Sequence, residues 1–219
     1  MLKFNGSLEK GFPLCQRTSI WWDLWGASAT NKSRCLARPR VGERPGFSVM
    51  SKNIYLVGFM GTGKTSAGQL LAKELGTTFI DMDEEIERRE RLSIPDIFKT
   101  KGEPYFRRRE SALVAELSTR QGLVVSCGGG AFVDEKNIAA MTSSGVVFCL
   151  TSRPETILSR TRRYANRPLL NVDDPKSKIE ELLKKRAPFY AQAHHTIDAD
   201  RLTVAATVRE IRQLLKNHG

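Results

Sequence analysis

Residues 58–65 read GFMGTGKT, two glycines framing four residues and followed by lysine and threonine. This GxxxxGK[ST] spacing, after a short apolar run and before a helix-patterned stretch, is suited to holding a triphosphate. Gly58, Gly61 and Gly63 let the backbone take positive φ and come close to a ligand. Successive N–H groups can then form an anion nest, and the following helix adds the positive end of its dipole. Lys64 can reach the β and γ phosphates, and the Thr65 hydroxyl can ligate Mg²⁺. Gly61, Thr62, Gly63, Lys64, Thr65 and Ser66 are therefore the candidate nucleotide contacts of this loop.

A phosphoryl donor needs an acceptor site, and three further stretches can build one. Asp81 and Asp83 lie two apart in IDMD, so along an extended chain their side chains share one side. One can bind metal through water, and the other can accept hydrogen bonds from hydroxyls and draw a proton from the attacking one. The competing reading is a helix N-cap, which Asp83 before EEI also suits.

FRRRE (106–110) carries three arginines that cannot share one helical face, so one can point to the site while the others are solvated. A guanidinium clamps a carboxylate or phosphate through its planar fork. Glu110, three residues after Arg107, can hold it, or the two can form a plain surface pair. Gly128, Gly129 and Gly130 stand where a metal-binding aspartate often follows a strand; they invite close approach of a small polar ligand, or make a tight turn. Together these positions describe an acceptor with an anionic end, met by Arg107, and a hydroxylated end, met by Asp83. Arg160, Arg167 and Arg186 add positive charge, and a mobile loop bearing Arg167 can close to exclude water.

The elements that must position these groups follow from the pattern. NIYLVG (53–58), TTFIDMD (77–83), GLVVSCGGG (122–130), VVFCL (146–150) and HTIDAD (195–200) read as strands. Helices are predicted over 64–75 with Gly76 as a stop, over the charged DEEIERRERL, over SIPDIFKTKG with Pro95 in the first turn, over 103 to about 120, and over 154–163. RRYANRPLLNVDDPK is a long polar loop; 176–193 returns to helix, broken or kinked at Pro188, and 203–215 closes the chain. Apolar strands alternating with helices mean a parallel sheet covered on both faces, with ligands at the strand C-terminal ends.

The 219 residues fit one domain with an appendage. No run of 18 apolar residues exists, so no membrane span is expected. The formal charge of +11 raises nucleic acid or anionic ligands as partners, but residues 1–49 carry +5 of it. That head holds all three tryptophans and lacks sustained periodicity. It can be a transit peptide, a partner-binding tail, or a stretch upstream of a native start at Met50, the last being favoured because a strand begins soon after. It reads as a disordered or non-native extension (1–49) before a domain at 50–219. Cys127 and Cys149 sit in apolar runs as buried hydrophobes, Cys15 and Cys35 lie in the head, and no pair has metal-ligand spacing.

From Met50 onward the chain resembles the shikimate kinases, through GFMGTGKT, the D-x-D of IDMDEEIE, SIPDIF, GEPYFRRRE, CGGGA, NRPLL and KKRAPFY in order. The resemblance implies a three-layer αβα P-loop fold with a five-stranded parallel sheet of order 2-3-1-4-5 and a mobile lid. It implies ATP-dependent phosphorylation of the shikimate 3-hydroxyl, with Mg²⁺. A cytoplasmic monomer is expected, the compartment from the unpaired cysteines, without membrane partners and, since the arginines fall at strand ends and in the lid, without nucleic acid. By resemblance, Asp83, Arg107, Gly129 and Arg186 are the shikimate ligands, flanked by Gly128 and Gly130. Thr65 and Asp81 are implied as direct and water-mediated metal partners, and Asp83 as the proton acceptor. Lys64 and Arg167 are implied to stabilise the transferring phosphoryl, Arg160 to stack on adenine, and Glu110 to orient Arg107. Met82 replaces the commoner Ser or Thr and is expected to point away from the site.

Rival readings are a gluconate-type kinase, a nucleoside monophosphate kinase, a non-catalytic nucleotide-binding module and a nucleic-acid binder. Composition does not separate the first, whose substrate also has a carboxylate and hydroxyls. A degenerate module is expected to have lost Lys64, Asp83 or Arg107, and all three are present.

Overall fold

The computed structural model describes residues 52–161 and 174–217. The expectations placed on residues 1–49, Cys15, Cys35, the NRPLL segment and Arg167 lie outside these residues. Among the described residues, five strands form a parallel sheet of order β2-β3-β1-β4-β5. They are β1 (Asn53–Val57), β2 (Thr78–Asp81), β3 (Leu123–Ser126), β4 (Gly145–Thr151) and β5 (His195–Asp198). The central β1 pairs with β3 and β4, so that Leu56 lies opposite both Ser126 and Phe148.

Strand periodicity divides the core in two. Tyr55, Val57, Val125, Val147 and Cys149 face one layer, with Met82 and Ile86 of α2 (Met82–Glu90), Ile97 of α3 (Ile94–Lys101) and Leu113 of α4 (Glu103–Ser118). Ile138 and Met141 of α5 (Glu135–Ser144) and Tyr190 of α7 (Pro175–Tyr190) join them. Ile54, Leu56, Val124 and Phe148 face the other, with Ala67 and Leu71 of α1 (Lys64–Leu75) and Val208 and Ile211 of α8 (Val204–Lys216). Strands apolar at successive positions are what a sheet covered on both sides requires. Ile157 of α6 (Pro154–Thr161) packs separately on Phe59 and Ile179.

Local chemistry sets the ends. Gly63 and Gly76 flank α1 at φ 92° and 66°. Ser93 caps α3 through the Asp96 N–H, with proline in the first turn. Thr203 caps α8 through the Ala206 N–H.

Three predicted features differ. β2 ends at Asp81, not at Asp83, because Asp81 caps α2 by accepting from the N–H groups of Asp83 and Glu84. α5 is an element the periodicity did not suggest; Asp134 caps it. α7 runs through Pro188 to Tyr190 as one helix, not broken at the proline. No helix of the described residues is long and apolar enough to cross a membrane.

Candidate active site

Two cavities open at the C-terminal ends of the strands, and they share a wall. The larger, about 780 Å³, is lined by Gly61, Thr62, Gly63, Lys64, Thr65 and Ser66. The smaller, about 330 Å³, is lined by Arg107, Glu110, Gly128, Gly130 and Arg186. Met60, Thr65, Asp81, Asp83, Glu84 and Gly129 belong to both.

The loop after β1 has the backbone its sequence demands. Gly58, Gly61 and Gly63 stand at φ 128°, 78° and 92°. At Gly58 a Cβ would meet the Leu150 carbonyl oxygen at 2.2 Å, so glycine is required there by space as well as by φ. Lys64 is buried, and its ammonium donates to the carbonyls of Gly58 (3.0 Å) and Phe59 (2.8 Å), curled over the loop. The Thr62 hydroxyl donates to the Phe59 carbonyl, which ties the loop to itself. Arg160 of α6 donates to the Gly61 carbonyl at 3.0 Å and lines the larger cavity beside Ser159. The Thr65 hydroxyl donates to Asp81 Oδ2 at 2.8 Å, and Asp81 Oδ1 accepts from the Asp83 N–H at 3.0 Å. Thr65 and Asp81 thus offer hard oxygens at the junction of the cavities, a donor set suited to Mg²⁺ held by few protein ligands plus phosphate oxygens.

Asp83 lies in the first turn of α2, so the predicted alternation along a strand does not bring it beside Asp81. The cap does so instead: the chain turns at Asp81, and both carboxylates still line the shared wall. Met82 between them is buried in the core.

α4 presents Arg107 to the smaller cavity, while Arg108 and Arg109 are exposed. Arg107 donates to Glu110 Oε2 at 2.7 Å and, through Nε and NH2, to Glu103 Oε1 at 3.2 and 3.0 Å. Burial pulls its pKa down, but the field of Glu110 and the bonds to both glutamates outweigh that and hold the guanidinium above its ordinary value. Glu110 is buried, and its Oε1 has no hydrogen-bond partner among the described residues. Burial pushes its pKa up to about 6 although Arg107 opposes the shift.

Two of the three glycines after β3, Gly128 and Gly130, make room for the protein's own side chains. A Cβ on Gly128 would stand 2.6 Å from Glu110 Oε1 and 2.7 Å from Asp83 Oδ1. One on Gly130 would overlap the Arg107 guanidinium at 2.2 Å. Beside Gly129 lies Arg186 of α7, which donates to the Gly129 carbonyl at 2.8 Å and stacks over Phe59. Tyr190 donates to the same carbonyl at 2.7 Å.

Several contributors carry no motif. Ala199, Leu202, Val204 and Thr207 also line the larger cavity. Ile94, Pro95 and Phe98 of SIPDIF and Phe106 of FRRRE, within stretches singled out in the sequence but themselves given no role there, provide the smaller cavity with an apolar side. Glu90, closing α2, accepts from Lys101 (2.8 Å), Tyr105 (2.8 Å) and Arg109 (2.5 Å), and so braces α2, α3 and α4 against one another. Cys127 and Cys149 are buried free thiols, both raised in pKa by burial.

Comparison with known proteins gives the same answer. A family model described as shikimate kinase matches residues 60–216. The shikimate kinase of Thiobacillus denitrificans is 47% identical over 163 residues, covering 73% of this chain and 89% of that protein. That of Thermoanaerobacter pseudethanolicus is 42% identical over 160 residues, covering 73% of this chain and 94% of that protein. The solved structure of shikimate kinase from Acinetobacter baumannii in complex with shikimate superposes with a TM-score of 0.74 at 43% identity, over 76% of this chain and 94% of that one. With its P-loop, its parallel sheet of order 2-3-1-4-5 and these matches, the chain belongs to the shikimate kinase family.

Proposed function

We propose that the protein transfers the γ-phosphoryl group of ATP to the 3-hydroxyl of shikimate, giving shikimate 3-phosphate and ADP. The observation that carries this reading is the pair of cavities meeting at Asp81, Asp83 and Gly129, one walled by the phosphate loop and the other by two arginines. A small hydroxylated acid fits the smaller cavity by charge: Arg107 and Arg186 for its carboxylate, Asp83 for its hydroxyls, and Phe98 and Phe106 for a ring face. Membership of the family supports the choice of shikimate over a linear sugar acid.

In this reading the acceptor oxygen forms a bond to the γ phosphorus while the bond to the β–γ bridging oxygen breaks, and Asp83 takes the hydroxyl proton. Lys64, released from the Gly58 and Phe59 carbonyls, stabilises the charge on the transferring group. Arg167 is assigned the same task, and Arg160 the nucleoside side, with Ala199, Leu202, Val204 and Thr207. Thr65 and Asp81 would hold Mg²⁺, which supplies charge neutralisation between the phosphates. Gly129, flanked by Gly128 and Gly130, would lie against the acceptor ring. We assign catalysis to residues 50–219 of a cytoplasmic monomer acting on ATP and shikimate, with residues 1–49 an extension outside the catalytic unit and no nucleic acid or membrane needed.

The test is a coupled ADP-release assay of the full chain across shikimate, gluconate and nucleoside monophosphates. Turnover with shikimate alone is expected; turnover with gluconate and none with shikimate would overturn the assignment.

A further inference from the structure

Tyr190 lines neither cavity, yet its hydroxyl donates to the carbonyl of a residue that lines both. That carbonyl, of Gly129, accepts from Tyr190 at 2.7 Å and from Arg186 NH1 at 2.8 Å. Residues 186 and 190 are one turn apart on α7, so both donors come from the same helix face. Two donors use the two lone pairs of one backbone oxygen and fix the plane of its peptide. The Gly129–Gly130 peptide is trans, as are all the described bonds. Its N–H, belonging to Gly130, therefore points away from α7. The smaller cavity is lined by Gly128, Gly129, Gly130 and Arg107 as well as by Arg186. Glycines on both sides of a peptide leave it free to rotate, so an external restraint is needed to hold one orientation.

We propose that Tyr190 is a positioning residue for the acceptor: with Arg186 it pins the Gly129 carbonyl, so that the Gly130 N–H stands as a fixed donor to the acceptor beside Arg107. The inference rests on the acceptor reading given above. Burial raises the Tyr190 pKa to about 12, so the phenol stays protonated and remains a donor throughout the working range. A neutral hydroxyl is suited to this task, because it adds restraint without adding charge to a cavity already holding Arg107, Arg186, Asp83 and Glu110.

The experiment compares full-length wild type and Tyr190→Phe, which removes one oxygen and keeps the buried ring. Loss of one hydrogen bond from the pinned carbonyl should raise the KM for shikimate on the order of fivefold, with the KM for ATP and the melting temperature nearly unchanged. A loss of general packing would move both KM values and the melting temperature together. In parallel, the Gly130 amide resonance of ligand-free protein should shift in Tyr190→Phe and, in wild type, should move when shikimate is added. An unchanged shikimate KM in the variant overturns the proposal, as does a wild-type Gly130 amide that ignores saturating shikimate. A wild type that neither binds nor turns over shikimate overturns the acceptor reading itself. In that case the ligand-free amide decides on the pinning alone: a shift upholds it, and an unmoved resonance overturns it.

Discussion

Asp83 and Glu110 approach Gly128 from two helices, each placing one carboxylate oxygen within 2.7 Å of where that residue's Cβ would stand. One oxygen faces the acceptor wall and the other is buried without a hydrogen-bond partner among the described residues. Glycine at 128 is therefore set by the site and not by a turn. Gly128→Ala should displace both carboxylates while leaving the sheet intact. We expect kcat/KM for shikimate to fall on the order of 100-fold, the scale of a misplacement near 1 Å at a reacting centre. A crystal structure or circular dichroism will check the fold, and steady-state kinetics the loss; activity within twofold of wild type would show that Asp83 is not confined by this contact.

Asp83→Asn keeps the shape of the wall and removes the proposed proton acceptor. Turnover should drop by about two to four orders of magnitude, as expected when a general base is lost, while ATP binding measured by calorimetry persists. Wild-type kcat in this variant would remove Asp83 from the chemistry.

Arg107→Ala should raise the KM for shikimate by an amount equivalent to about 2–4 kcal/mol, the cost of leaving a charge-assisted contact unpaired. It also strips Glu110 of its 2.7 Å partner, so a lower melting temperature is expected alongside. An unchanged KM would pass the acceptor carboxylate to Arg186.

Glu110 gives a pH dependence whose sign is opposite to that of a surface carboxylate. Its folded pKa, about 6, lies above the ordinary 4.5 because burial outweighs the attraction of Arg107 and Arg186, with Asp83 adding to the rise. Between those values the folded state binds the extra proton, so this group's contribution to stability is full below about pH 4.5 and is lost as pH rises through 6. The size is roughly 2 kcal/mol. Denaturant unfolding at pH 4 and pH 7.5 should show the stability of wild type relative to Glu110→Gln falling by that amount across the interval. A difference that stays constant or grows with pH would contradict the raised pKa.

Arg91, closing α2, stands at φ 53°, the one non-glycine residue with positive φ among those described. Its side chain is exposed and the left-handed conformation strains its Cβ. Arg91→Gly should stabilise the protein by about 1 kcal/mol, seen as a rise in melting temperature, with catalysis unchanged. A lower melting temperature would mean that the arginine makes a compensating contact.

The nucleotide side of the fold was the more legible, because GFMGTGKT prescribes backbone conformation directly and the structure puts its glycines at the required φ. The acceptor side was harder. Asp81 and Asp83 read as alternating along a strand, but the Asp81 side chain ends that strand by bonding the N–H groups that follow it. α5 escaped notice because Ile138 to Met141 form an apolar run and not a spaced face. Glu110 was visible from Arg107 by helical spacing; Glu103 and Tyr190 lie in GEPYFRRRE and KKRAPFY but nothing in those stretches assigns them a task, and the lining residues Ala199, Leu202, Val204 and Thr207 carry no pattern of their own. Tyr190 meets Gly129 across 61 positions of sequence, a contact that only the folded chain creates. The triple glycine was ambiguous between a turn and a ligand platform; the room it leaves is filled by Glu110, Asp83 and Arg107 themselves.

Asp81 spends one oxygen on the Thr65 hydroxyl and the other on the start of α2. The helix behind the phosphates and the helix carrying Asp83 are thus fastened to the same carboxylate. If loading the nucleotide side recruits the Thr65 hydroxyl, as proposed, that fastening is disturbed and the filling of the acceptor side is expected to change with it. By thermodynamic reciprocity the acceptor then alters nucleotide affinity by an equal factor. Coupling between the two substrates is therefore expected to run through a single side chain's two oxygens.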